Sequence, residues 1–297
     1  MTRVARFALI VGLWMTACDS GPILEPVVVY ASAEQEIRLA AEFSRFTHET
    51  RVPVKVIVGD SNSLTDNVID NRGTPAADVL LTSNVADIWR AADRGALRPL
   101  TGTAVVDVPP LIRDPDRLWA AIQVRYAIIG VSPDAGHTGL GSYADLAKSD
   151  IRGSLCLSSV VLPLNRSLVA MLVEDLGVKP AERIVRAWVR NLGAEPFATE
   201  GELLDALRSG TCAYAIFSSS IDSEGLSTIR PNPLYLDIDG IGVARHAHNP
   251  ASAQALVDWL LRETRLRGPE LSNGKNIGVA GWRDEDARLL AERAGYR

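Results

Sequence analysis

VVVYASAEQEIRLAAEFSRFTHETRVPVKVIVGDSNSLTDNVIDN, residues 27–71, runs into RGTPAADVLLTSNVADIWRAADRGALRPL, residues 72–100, and the two together decide the fold class. Residues 27–30 are apolar and β-branched, too few for a helix and suited to a buried parallel strand. Residues 34–47 place Ile37, Ala40, Ala41, Phe43 and Phe46 at the spacing of a helix with one buried face. The same alternation repeats: a strand over 52–58, a helix over 63–71, a strand over 78–82 and a helix over 85–94 that Gly95 stops. Strand and helix in strict alternation define a doubly wound α/β unit.

In such a unit ligands lie beyond the carboxyl ends of the strands, on the loops that open the helices. Those loops carry Ser32 and Glu34, then Asp60 and Ser61, then Thr82, Ser83 and Asn84. Hydroxyls and backbone N–H groups at helix N-termini suit an anionic or hydroxylated ligand. The same residue types also serve as plain N-caps.

Toward the N-terminus, Arg3 and Arg6 precede a short apolar run, and Met15-Thr16-Ala17-Cys18 resembles a bacterial lipobox. The expected organisation is a signal peptide at 1–17 and a lipid-anchored tether at 18–25 acylated on Cys18. Lobe 1 is expected from 26–125 together with 240–297, and lobe 2 over 126–239. Loss of Arg3 and Arg6 takes the net charge from −5 to −7. An acidic chain is a poor partner for nucleic acid, whose affinity comes largely from phosphate neutralisation. Export also permits a disulfide, and the remaining cysteines, Cys156 and Cys212, each lie on an apolar strand-like run. A bridge between them is expected; two separate buried thiols are the alternative.

Toward the C-terminus, a proline-marked connector leads to an apolar run over 118–131 interrupted by Gln123 and Arg125. A charge inside such a strand must be paired or face a cavity. Arg125 is therefore either a ligand anchor or half of an internal salt bridge, with Asp237 and Asp239 as the available partners. Further strands are expected over 154–158 and 212–217, with helices over 165–176, 181–191, 200–209, 250–265 and 285–294. Residues 234–243 alternate Leu234, Leu236 and Ile238 with Asp237 and Asp239, which predicts one buried and one polar face.

Catalytic signatures are missing: no GxSxG, P-loop, HExxH or GxGxxG occurs, and His246-Ala247-His248 sits in a polar loop. No enzyme, cofactor or resident metal is expected. The triplet Ser218-Ser219-Ser220 follows the strand over 212–217 and sets three hydroxyls at its carboxyl end. Ser158 and Ser159, with Asn165-Arg166-Ser167, bracket the neighbouring strand-to-helix connection. Hydroxyls of this kind hydrogen-bond an oxyanion without adding charge.

With these residues in view, the chain resembles the solute-binding proteins of ABC transporters, specifically the periplasmic ferric-ion-binding type. The matching stretches are VVVYASAEQE, PAADVLLTSN, GALRPL, LWAAIQVRYAIIGV and DIDGIGVARHAHNPASAQALVDWLL, distributed over nearly all of the mature chain. The resemblance implies a type II periplasmic-binding-protein fold of two α/β lobes joined by two crossing hinge strands, near 125–131 and 236–240. It also implies a monomer that traps solute between the lobes and delivers it to a membrane permease. Ferric-binding members use a histidine in the first loop, a glutamate after the third strand and a tyrosine pair after the second-lobe strand. Here Glu34, Ser83, Ser219 and Ser220 stand at those positions.

Without phenolates, direct ferric binding of the family kind is not expected. Arg125 matches a family arginine near the anion that accompanies iron, so the first ligand class expected is an oxyanion, phosphonate or organic acid. Its contacts would come from Ser32, Glu34, Ser61, Thr82, Ser83, Asn84, Arg125, Ser158, Ser159, Ser218, Ser219, Ser220 and Asp239. The alternatives are iron or a ferric chelate held by non-family ligands, and a sensor subunit on the same fold.

Overall fold

The computed structural model describes residues 24–135, 139–266, 271 and 275–297. The expected signal peptide at 1–17, Cys18, most of the expected tether and His137 lie outside the described residues.

The first half follows the expected alternation: β1 (Val27–Ala31), α1 (Ala33–Thr50), β2 (Val54–Val58), α2 (Ser61–Ile69), β3 (Val79–Thr82), α3 (Val85–Asp93) and β4 (Leu97–Arg98). A short helix α4 (Ala104–Asp107) and a tight turn at Pro110–Ile112 occupy the proline-marked connector and lead into β5 (Ala120–Val131). The second half contains β6 (Leu155–Cys156), α5 (Pro163–Leu176), α6 (Val178–Asn191), α7 (Glu200–Arg208), β7 (Tyr214–Ser218) and β8 (Ser227–Ile229). The chain returns through β9 (Leu236–Ala244) and ends in α8 (Pro250–Thr264), α9 (Gly278–Trp282) and α10 (Asp284–Ala294).

The strands run in the order β2-β1-β3-β9-β5-β7-β6, with β4 beside β9 and β8 beside β5. β1, β2 and β3 are parallel, so their carboxyl ends open on one edge. β9 is antiparallel to both β3 and β5, and β5 continues past it to pair with β7. β5 and β9 are the two strands that cross between the halves.

Two expectations change. In α1 the buried residues are Gln35, Leu39, Phe43 and Phe46, while Ile37 is 78% exposed. The Ser32 capping box turns Gln35 inward, where its Oε1 accepts from Ser32 N–H at 3.0 Å. Trp259 of α8 meets Phe46 edge-on at 6.0 Å and sets the buried stripe at the other end. In β9 no polar face exists: every residue is buried, Asp237 and Asp239 included. β9 is the central strand, and helices α3, α5 and α8 pack against it. Gly240 permits that proximity, because a Cβ there would lie 2.6 Å from the Ile88 side chain of α3.

The expected bridge is present: Cys156 and Cys212 form a disulfide with Cα atoms 5.8 Å apart, joining β6 to the segment entering β7. The terminal helices straddle the halves. α9 packs on α3 and α5, and α10 packs on α5 and α6.

Candidate functional site

The rim formed by β1, β2 and β3 is built mostly from helix caps. Ser32 Oγ accepts from Gln35 N–H at 3.2 Å, Asp60 Oδ2 from Ser63 N–H at 3.0 Å, and Asn84 Oδ1 from Asp87 N–H at 2.7 Å. Ser61 Oγ donates to Asp87 Oδ2 at 2.8 Å and accepts from Ser83 N–H at 3.3 Å, tying the second loop to the third. Thr82 is fully buried and its hydroxyl donates to the Asn84 carbonyl at 2.8 Å, so it shapes the loop from beneath. Ser32, Ser61, Ser83 and Asn84 remain at the surface of the cleft.

Arg125 sits at the strand crossing, directly opposite Asp237 in the β5–β9 register. Its Nη1 pairs with Asp239, and its Nη2 donates to the Ser83 carbonyl at 2.7 Å and lies 3.5 Å from Asp237. Arg38 of α1 makes a second ion pair with Asp239. Asp237 also accepts from Val85 N–H at 3.0 Å and from the Ser167 hydroxyl. Burial alone would lower the Arg125 pKa; the two aspartates more than offset it and hold the guanidinium charged above its ordinary value. The internal salt bridge is thus the arrangement present, and it leaves Arg125 and Asp239 satisfied by protein groups.

Across the cleft, Ser158 is buried and fixed by Asn165, whose Nδ2 donates to its hydroxyl at 2.9 Å. Ser159 Oγ accepts from Val161 N–H at 3.4 Å in the same turn. Ser218 and Ser220 hydroxyls lie 2.6 Å apart, and Ser219 Oγ accepts from Tyr126 N–H at 3.0 Å. Ser219 and Ser220 are exposed at the end of β7.

The residue missing from the sequence reading is Glu200. Thr199 and Glu202 form the capping box of α7, which leaves Glu200, in the first turn, to face the end of β7. Its Oε1 accepts from Ser218 N–H at 2.7 Å. Burial raises its pKa, Glu34 adds to that rise, and Ser218 N–H and Arg125 oppose it. Glu200 of α7 therefore lies within electrostatic range of both Arg125 and Glu34 of α1. The only sequence signal for Glu200 is an acid at a helix start, which is also ordinary dipole chemistry.

A cavity of about 960 Å³ opens between this rim and the terminal helices. It is lined by Ser32, Ser61, Ser83 and Asn84 on one side, by Arg166 and Ser167 of α5 on the other, and by Trp89, Trp282 and Asp284. Glu34, Arg125 and Ser218–Ser220 do not line it. Among the described residues, no group of three or more His, Cys, Asp or Glu side chains is gathered to hold a metal ion.

A two-lobed α/β fold with crossing strands and a polar cleft defines a type II periplasmic binding protein. No protein-family profile matches the chain. Among curated relatives, iron uptake protein A1 of Synechocystis sp. is 25% identical over 291 residues, which cover 86% of this chain and 79% of the relative. The Fe(3+)-binding periplasmic protein of Serratia marcescens is 23% identical over 270 residues, 84% of this chain and 77% of the relative. Among solved structures, a Trichodesmium protein in complex with iron and citrate ligands matches 92% of this chain and 100% of its own with a TM-score of 0.80 at 22% identity. Apo ferric ion-binding protein A of Pasteurella haemolytica also gives 0.80, at 21% identity, over 92% of this chain and 98% of its own. The chain shares the fold of these solved structures and is similar in sequence to iron-uptake and ferric-ion-binding periplasmic proteins.

Proposed function

We propose that this chain captures ferric iron as a complex with a small carboxylate chelator, outside the cytoplasm, and delivers it to an ABC permease. What supports the reading is Glu200, whose Oε1 accepts from Ser218 N–H at 2.7 Å at the end of β7 and which lies within electrostatic range of Glu34. Ferric ion is a hard cation that prefers oxygen donors, and two carboxylates leave most of its coordination positions unfilled. A chelator must supply the rest, consistent with the lack of a larger ligand cluster among the described residues. The names of the relatives support iron as cargo, and one neighbour was solved with iron and citrate together.

This reading replaces the metal-free oxyanion, phosphonate or organic acid as the first choice, since the arginine that favoured a bare anion is already ion-paired. The exposed serines at the end of β7 then contact the chelator rather than the metal. The chain acts as a binding protein and not an enzyme, and its lipid tether at Cys18 holds it at the membrane.

Calorimetry on the mature protein tests the cargo. Ferric citrate is expected to bind, iron-free citrate at least tenfold more weakly, and no phenolate charge-transfer band should develop. Equal affinity for citrate with and without iron would remove iron from the proposal. The anchor is tested by fractionation: the native protein partitions with membranes, and Cys18→Ala does not mature normally.

A further inference from the structure

We propose that residues 275–284 are a third connection between the two halves, a strap whose ion pairs on α5 hold the cleft open; this rests on the binding-protein reading above. Helix α8 packs on α1 and β9 in the first half, and α10 packs on α5 and α6 in the second. The chain between them must therefore cross, apart from β5 and β9.

On the first half the strap is fixed by backbone bonds and close packing. Asn276 Nδ2 donates to the Pro110 and Arg113 carbonyls at 2.6 and 2.7 Å, and Ile277 N–H donates to the Leu111 carbonyl at 2.8 Å. A Cβ on Gly281 would lie 2.5 Å from Trp89 Cβ, so α9 seats directly against α3. Trp89 meets Trp282 edge-on with ring centroids 5.8 Å apart. Contacts this close leave little freedom to slide.

On the second half the attachments are of another kind. Lys275 Nζ lies 2.9 Å from Asp175 and 3.4 Å from Glu174, and Arg283 Nε lies 3.1 Å from Glu174. Long, partly exposed side chains make these pairs, and each such pair is individually weak. Asp175 also accepts from the Tyr235 hydroxyl at 2.8 Å, immediately before β9, so the same cluster reaches the root of a crossing strand. A cavity of about 360 Å³, lined by Leu111 and Ile277 from one half and Met171 and Asp175 from the other, gives the junction room to move. It shares no lining residue with the cavity of the cleft. When the halves rotate, the interlocked side of the strap stays in place and the ion pairs give way. They are formed here with the cleft open, so they oppose closure, and weakening them favours the closed form.

Glu174→Gln is the test because it leaves no cation bare: Arg283 keeps Asp286 at 3.1 Å, and Lys275 keeps Asp175. Nitroxide labels at Lys55→Cys on β2 and Lys179→Cys on α6, one on each half, report the open and closed populations by pulsed electron resonance without any ligand. Glu174→Gln should move population toward the closed distance. Calorimetry should show that it binds ferric citrate about threefold tighter than wild type, the scale of one exposed ion pair. That gain should shrink as salt is raised. Glu263→Gln on α8 removes the same charge away from the strap and should change neither reading. Thermal melts establish that both variants fold.

Label distances that Glu174→Gln does not alter overturn the strap, whatever the affinity does, and leave the ferric reading standing where ferric citrate binds. A shift in distances, with ferric citrate binding to neither protein, keeps the strap and overturns iron as cargo. An equal gain with Glu263→Gln assigns the effect to net charge and overturns the strap.

Discussion

At the scale of single residues, Glu200 gives the sharpest test. Its carboxylate is mostly buried, and that burial raises its pKa above the ordinary glutamate value. A raised folded-state pKa means the folded protein takes up a proton at a pH where the unfolded chain has released it. Glu200's contribution to stability is therefore full below the unfolded pKa and falls as pH rises through the folded one. Binding of a cationic centre has the opposite sign, because it needs the charged form, so affinity should fall on acidification sooner than for an exposed glutamate. Glu200→Gln keeps an oxygen to accept from Ser218 N–H. It should fold, match or exceed wild-type stability at neutral pH, and bind ferric citrate at least tenfold more weakly. Denaturation and calorimetry across the acid range check both limbs, and unchanged affinity would exclude Glu200 from the site. The contrast with Arg125 explains what the sequence made legible. A charge inside an apolar strand is conspicuous, and its two possible partners could be named because they lie on another strand. An acid opening a helix is not conspicuous, since the helix dipole accounts for it without any ligand.

At the scale of elements, the alternation of strands and helices was legible because parallel strands buried on both faces need continuous apolar runs, and β1 and β3 have them. What periodicity does not show is which neighbours cover an element. Ile37 looks like a core residue of α1 only until Gln35 is drawn inward by the capping box. The aspartates of β9 look solvent-facing only until the strand is placed in the centre of the sheet with arginines against it. The disulfide belongs to this scale as well. Both cysteines are buried, and the bridge spans 56 residues of chain that include α5, α6 and α7. On the chain-entropy account a loop of that length contributes roughly 4 kcal/mol. The double variant Cys156→Ala, Cys212→Ala should lose about that much in urea unfolding, with the loss concentrated in probes of the second half. A shift below about 1 kcal/mol, against that entropic figure, would mean that packing around β6 and β7 already holds the loop closed.

At the scale of the whole molecule, the buried charges lie where the two halves are joined. Asp237 is held from the first half by Val85 N–H and from the second by Ser167, with Arg125 beside it on the opposing strand. The ladder between β5 and β9 is irregular between Ala121 and Gln123, next to this cluster. A bend at an irregular ladder can turn one half against the other while the ion pairs keep the crossing strands in register. We propose that the hinge lies in these crossing strands, near 125–131 and 236–240, with residues 26–125 and 240–297 in lobe 1 and 126–239 in lobe 2; α10, expected in lobe 1, packs on α5 and α6. Glu34 and Glu200 then approach as the lobes close, and a ligand that bridges them selects the closed state by its differential affinity. Small-angle X-ray scattering should show the radius of gyration falling when ferric citrate is added to wild type, and not with Glu200→Gln. Arg125→Ala should behave differently from either. It leaves Asp237 buried beside no cation, a change that costs about 3–5 kcal/mol, so its first effect is lost stability in denaturant. If Arg125→Ala instead unfolds like wild type and loses only binding, the arginine faces the ligand and the hinge assignment fails.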